Sequence, residues 1–199
     1  MKFGAVVLAA GKSERMGQNK LLLPLNGKTL IETILDALAA AGVKEPIVVL
    51  NKDPGEIIEA IRPQLGKVKI ALNLADEEGM ISSFQTGLMV LSNVDAAFLI
   101  LGDQPILDPK IIIQMREIME NSKDNPLIVS PVHCGKNGHP LLFSRQLFGE
   151  LLSLKTSQTI RDMVQDHVAK MITFEAPEWT IMDVYEPQNY DRIVRLAKP

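Results

Sequence analysis

Gly11 and Gly17 enclose Lys12 and Arg15, and Lys20 follows shortly after, so three cations fall within nine residues of one glycine-bearing stretch. Glycines let backbone N–H groups approach an anion closely, and converging amides make a concave anion nest. Arginine adds a planar fork suited to phosphate oxygens, and lysine adds a mobile point charge. The chemistry this composition suits is the binding of a phosphate chain. The plainer alternative is an exposed loop whose charges are only solvated. Gly11-Lys12-Ser13 looks like the end of a Walker A loop, whose lysine and hydroxyl serve phosphate and magnesium. The spacing refuses that reading, because the motif needs glycine at position 6, where the chain has Val6. A G-x-G-x-x-G dinucleotide fingerprint is absent as well.

Two other places carry chemistry-bearing side chains. Asp103 follows the apolar run 97–101 and precedes Pro105, which suits either a turn or helix-capping carboxylate or a hard oxygen ligand for magnesium. His133, Cys134 and His139 lie close enough in sequence to suggest zinc. Three such residues without a partner cluster are a poor zinc signature, and no zinc site is expected from them. His167 reads as an ordinary surface residue, and the nine methionines as core filler.

The elements that must hold these groups follow from short β-branched runs alternating with helical patterns. Strands are expected at 5–10, 47–50, 68–72, 97–101 and 127–130, with later ones at 141–144 and 171–174, antiparallel and at an edge. Helices are expected at 29–41, 54–61, 81–91 and 108–119. Thr29 with Glu32 forms a capping box, and Gly42 stops that helix. Strands apolar throughout and separated by helices indicate a mostly parallel sheet covered on both faces, a doubly wound, Rossmann-like α/β sandwich. In such sheets ligands bind beyond the carboxyl ends of the strands. The stretches at 8–20, 77–83 and 101–105 all fall at those ends.

Composition sets the outer bounds. The 199 residues suit one α/β domain spanning 1–199, with 46% hydrophobic and 23% charged residues and a net charge of −3. Mild acidity argues against a nucleic-acid binder. The charge is uneven: Lys2, Lys12, Arg15, Lys20 and Lys28 face only Glu14 in the first 28 residues, a local +4. Cys134 is the single cysteine, so an intramolecular disulfide is impossible and a reducing, cytoplasmic setting is expected. No apolar run is long enough for a bilayer. The apolar stretch after Lys2 could pass for a secretory leader, but it opens into a glycine loop and reads better as a buried strand.

The stretch LAAGKSERMGQNKLLLPLNGKTLIE resembles the nucleotidyltransferase signature L-A-[AG]-G-x-S-x-R-M-G-x-x-K-x-L-L-P, most closely that of the molybdenum cofactor cytidylyltransferases of the MobA-like NTP transferase superfamily. The resemblance continues through Gly79-Met80-Ile81-Ser82-Ser83, Leu101-Gly102-Asp103-Gln104-Pro105 and Gly135-Lys136-Asn137-Gly138-His139-Pro140. It implies a nucleotidyltransferase, GT-A-like fold, and transfer of a nucleoside monophosphate from an NTP to an acceptor phosphate with release of pyrophosphate. No covalent enzyme intermediate is implied.

On that resemblance, Leu8, Ala9, Ala10, Gly11 and Lys12 with Gly79 and Ser83 bind the nucleotide, Arg15 meets the leaving pyrophosphate and Lys20 the α-phosphate. Ala9-Ala10 in place of Ala-Gly points to CTP. Asp103 and Asp183 would hold Mg2+; Tyr185 stands where the family has a second late carboxylate. Ser82, Gln104, Gly138 and His139 fall on the acceptor side. The acceptor-side arginine motif survives only as Arg161 within an altered 155–161 stretch, which leaves molybdopterin less firmly implied than nucleotidyl transfer. A sugar phosphate, a polyol phosphate, a phospholactate or a non-catalytic nucleotide-binding role are the alternatives. A protein that receives the finished cofactor is an expected transient partner; nucleic acid and membrane are not.

Overall fold

The first strand, β1 (Phe3–Leu8), is apolar along its whole length, and Ala5, Val6 and Val7 have no exposed surface. A strand without polar alternation fits only where both faces are covered. In the computed structural model, which describes residues 1–11, 17–75, 79–184 and 187–197, β1 lies inside an eight-stranded sheet. On one side it pairs with β4 (Ile47–Leu50), followed by β5 (Lys69–Leu72) at the edge. On the other side come β6 (Ala96–Leu101), β9 (Leu141–Ser144), β7 (Ile128–His133) and β10 (Met171–Glu175). The short β8 (Lys136–Asn137) extends from β7, and β2 (Pro24–Leu25) with β3 (Lys28–Thr29) form a separate two-stranded hairpin.

Strands β1, β4, β5 and β6 are mutually parallel, as are β7 and β10. The chain therefore winds outward from β1 through β4 to β5 and returns to start again on β1's other flank. That reversal opens a crevice beyond the carboxyl ends of β1 and β6, where ligands of doubly wound sheets sit.

Helices close both faces. α1 (Leu30–Ala40) begins at a capping box, with Thr29 Oγ1 accepting from the Glu32 backbone and the Glu32 carboxylate accepting from the Thr29 backbone. Its Ile31, Ile34, Leu35 and Leu38 recur at helical spacing and are buried together with Ala5 and Val7 of β1. Each such side chain contributes about 1.5–3 kcal/mol by leaving water. α2 (Gly55–Ala60) and α4 (Pro109–Asn121) join this layer. α3 (Met80–Val90), α5 (Phe148–Ser153) and α6 (Ile160–Asp166) cover the other face, packing on Val6, Leu99 and Phe143. A third, smaller cluster places Ile193 of α7 (Pro187–Leu196) and Val184 against Leu23, Leu25 and Leu30.

The sandwich read from the sequence is the observed one, with one correction. Residues 141–144 do run antiparallel, but β9 lies in the interior, pairing with β6 and β7, and the edge strand β10 is parallel. All four β9 residues are buried, which an edge position would not permit. β8 and β9 both run antiparallel to β7, and the two-residue turn out of β7 is too short for a crossover, leaving only that direction. Among the described residues no helix is long and apolar enough to cross a membrane.

Candidate active site

The ends of β1 and β6 are level because the strands pair in register from Phe3↔Ala96 to Leu8↔Leu101. The Gly102 N–H then donates to the Leu8 carbonyl at 3.0 Å, carrying the pairing one step beyond the sheet. Only glycine fits there, because a Cβ at 102 would lie 2.5 Å from that carbonyl oxygen. The close approach brings Ala10 and Gly11 beside Asp103 at one end of a cavity of about 210 Å3, whose walls also include Lys20, Gly79 and Ser83.

Lys20 reaches this cavity from a single 3-10 turn, Lys20–Leu22. Asn19 caps the turn through its Oδ1, which accepts from the Leu21 N–H, and Leu21 anchors it in the core at 3% exposure. The Lys20 Nζ donates to Asp103 Oδ2 at 2.6 Å, with the two side chains 17% and 25% exposed. A short, partly desolvated ion pair holds both groups at the mouth of the crevice, where a cation and a carboxylate are both wanted by a metal-carrying polyphosphate.

Asp183 arrives from far along the chain. The Val184 N–H donates to the Asp103 carbonyl at 2.7 Å, and the buried Val184 side chain locks that segment down. The Asp183 carboxyl is held above the usual carboxylate range, first by burial and then by the negative charge of Asp103, with Lys20 opposing. Two carboxylates that repel across a crevice form a hard oxygen pair whose charge a divalent cation would neutralise. The residues present therefore fit such an ion, and Asp103 and Asp183 are the carboxylates that could hold it.

Beyond them opens a second cavity of about 900 Å3. Gln104, Gly138, His139 and Asp183 form one part of its wall, and Thr156, Gln158, Thr159 and Arg161 another. Met80 and Leu101 border both cavities, so the two chambers adjoin. His139 is pushed down to about 4 by burial, which the Asp103 carboxylate only partly offsets, so its imidazole is neutral at pH 7. Its backbone N–H donates to the Thr180 carbonyl at 2.7 Å. Among the described residues its buried Nδ1 has no partner.

Most of the residues singled out in the sequence thus converge: Leu8, Ala10, Gly11, Lys20, Gly79, Ser83 and Asp103 around the smaller chamber, and Gln104, Gly138, His139 and Asp183 around the larger. Ala9 is packed in the core at 3% exposure, its N–H bonded to the Val49 carbonyl. Ser82 lines neither chamber, since its hydroxyl donates toward the carbonyls of Ala75 and Gly79. Lys12, Arg15 and Tyr185 lie outside the described residues.

Asn73 was missed. Buried at 3% exposure just past β5, it donates from Nδ2 to the hydroxyls of Ser82 and Ser83 at 2.9 and 3.0 Å, and so orients Ser83 at the chamber wall. The signal was a polar residue directly after an apolar strand, facing a helix start. Thr180, in the 3-10 turn Glu178–Ile181, also lines the larger chamber.

Known proteins share these features. The curated molybdenum cofactor cytidylyltransferase of Escherichia coli K12 is 27% identical over 188 residues, covering 93% of this chain and 92% of its own length. Other curated relatives are named probable molybdenum cofactor guanylyltransferases, and this chain spans 60% and 63% of the length of two of them. Of a bifunctional protein GlmU from Sorangium cellulosum it spans 27%. Among solved structures, a nucleotidyl transferase from Methanothermobacter thermautotroptrophicus superposes with a TM-score of 0.83 at 25% identity, covering 98% of this chain and 97% of that one. A Mycobacterium tuberculosis H37Rv protein, Rv0371c, solved as a complex with manganese, has the same fold, with a TM-score of 0.78 at 24% identity over 98% of this chain and 99% of that one. The MobA-like NTP transferase domain matches residues 5–171, well over half of the sequence, and the chain belongs to the MobA-like NTP transferase family.

Proposed function

We propose that the protein transfers CMP from CTP to the terminal phosphate of molybdopterin, or of its molybdenum form, and releases pyrophosphate. An acceptor phosphate oxygen attacks the α-phosphorus, the bond from that phosphorus to the bridging oxygen of the β-phosphate breaks, and pyrophosphate leaves with the electron pair. The observation that carries this reading is the Lys20–Asp103 ion pair, with Asp183 tied beside it, at the junction of a small and a large chamber.

In this reading the backbone of Ala10 and Gly11, with Lys12, cradles the triphosphate, and Gly79 and Ser83 meet the base. Arg15 faces the departing pyrophosphate and Lys20 the α-phosphate. Charge grows at those oxygens in the transition state, so cations positioned beforehand lower the barrier. Asp103 and Asp183 are the residues that would hold Mg2+, which supplies charge neutralisation and in-line alignment of the phosphates. Gln104, Gly138 and neutral His139 line the acceptor chamber. A neutral imidazole can donate and accept hydrogen bonds without drawing a phosphate away from Lys20.

The test is pyrophosphate release with each of the four NTPs, Mg2+ and a panel of phosphorylated acceptors. CTP with molybdopterin should lead. GTP in first place would transfer the base preference to that of the guanylyltransferase relatives, and no release with any pair would end the reading. A second reading keeps the chemistry and exchanges the acceptor for another phosphorylated small molecule, because the altered 155–161 stretch gives the larger chamber Thr156, Gln158 and Thr159, with Arg161 as the one cation that this stretch puts in the wall. The same panel separates the two.

A further inference from the structure

The hairpin joining β7 to β8 turns through Cys134 and Gly135, both at positive φ (48° and 77°). This two-residue turn has the twist that suits paired strands, with His133 opposite Lys136. It projects the Cys134 thiol into solvent beside the His133 ring. β10 runs parallel alongside β7, with Glu175 opposite Val132. The Cys134 backbone N–H donates to Glu175 Oε1 at 3.2 Å, which draws that carboxylate over the turn. Donor atoms of His133, Cys134 and Glu175 lie within 4.8 Å of one another.

The thiol and imidazole are in hydrogen-bond contact at a separation that a shared ion would also require, and Glu175 Oε1 lies 3.6 Å from the ring's other nitrogen, Nδ1. His133 Nε2 is 3.6 Å from Cys134 Sγ. On one tetrahedral zinc ion, with bonds of about 2.0 Å to nitrogen and 2.3 Å to sulfur, the two atoms would be about 3.5 Å apart. The other ring nitrogen, Nδ1, faces the Ala176 carbonyl at 2.9 Å. A carbonyl can only accept, so Nδ1 carries the proton and Nε2 presents its lone pair toward the sulfur. Metal-binding histidines are oriented in this way by a carbonyl behind the ring. Ala176 is not one of the three donors and is itself fixed, its N–H bonded to the Val132 carbonyl at 2.8 Å.

We propose that His133 Nε2, Cys134 Sγ and the Glu175 carboxylate form a site for one zinc-like, thiophilic divalent ion at the hairpin tip, separate from the Asp103–Asp183 pair. The thiol proton passes to solvent as the thiolate binds, and water fills the fourth position. A nitrogen, sulfur and oxygen set favours zinc or cobalt over magnesium, which prefers an all-oxygen shell. The site would brace β8, whose Lys136 and Asn137 form part of the rim of the larger chamber. The sequence pattern pointed away from zinc because Glu175 is 41 residues from Cys134 and His139, the neighbour in sequence, faces elsewhere.

The full chain, held in excess Mg2+, is titrated with Co2+ and followed by absorbance. The expected result is one ion per chain with a thiolate-to-cobalt charge-transfer band in the near ultraviolet, displaced by Zn2+. Cys134→Ser should abolish the band, and Glu175→Gln, an exposed change that leaves the fold alone, should weaken binding roughly tenfold or more. His133→Gln should do likewise. The double variant Asp103→Asn, Asp183→Asn should keep the band, which separates this site from the one under the proposed transfer reaction. Absence of the band in the unmodified chain, or zinc affinity unchanged in Cys134→Ser, overturns the proposal.

Discussion

The backbone N–H of Val184 donates to the carbonyl of Asp103 at 2.7 Å, joining residues 103 and 184 across the chain. Through that one bond the late segment delivers Asp183 to the end of β6, and the crevice beyond Leu101 acquires a second carboxylate.

Asp183 is raised above an ordinary carboxyl by burial and by Asp103. Its folded pKa exceeds the unfolded value, so the stability linked to its proton is full at low pH and is lost as pH rises through the folded pKa. Asp183→Asn stays neutral and escapes that loss. In metal-free buffer the variant should melt higher than the parent at pH 8, with the gap closing toward pH 4, while pyrophosphate release falls. Equal melting curves at both pH values would remove the carboxylate repulsion.

Asp103→Asn should cost about 100-fold or more in turnover, the scale of removing one preorganised electrostatic group. It also removes the carboxylate that accepts from the Lys20 Nζ. Circular dichroism should show an intact fold, and a single-turnover assay with saturating CTP measures the loss.

His139 behaves in the opposite sense to Asp183. Its folded pKa is near 4 against 6.5 for an ordinary histidine, so the unfolded chain takes up the proton first as pH falls. The stability held by the neutral ring is complete above about pH 6.5 and lost toward pH 4, at most roughly 3 kcal/mol in all. Urea midpoints of the parent and His139→Gln between pH 7.5 and pH 5 should diverge, with the variant flatter.

Asn73→Ala leaves the hydroxyls of Ser82 and Ser83 without their shared donor in a buried place. A loss of about 1–3 kcal/mol is expected from denaturant midpoints. If Ser83 is oriented by this contact, the KM for nucleotide should rise more than kcat falls; an unchanged KM would confine Asn73 to the fold.

Local signals were legible where a few neighbouring residues decide the outcome. The capping box of Thr29 and Glu32, the strand from Ile47 to Leu50 and the carboxylate after β6 are of that kind. The direction and place of β9 were not, because four consecutive apolar residues fit any buried strand and carry no sign of polarity. Asn73 and Glu175 were hidden for a different reason. Each gains its role from partners on another element, Ser82 and Ser83 on α3 and Cys134 on a hairpin, and no periodicity reports such a meeting. Asp183 stood out only through the family resemblance; spacing marked His139 merely as a poor zinc candidate, and its place on the acceptor side came from the resemblance.

Met80 and Leu101 each border both chambers. Side chains shared by both chambers let occupancy on one side bear on the other, so binding of the two substrates is expected to be coupled. Initial-rate plots should then show intersecting lines, the mark of both substrates being held together before any product departs, and either partner alone should tighten the binding of its neighbour.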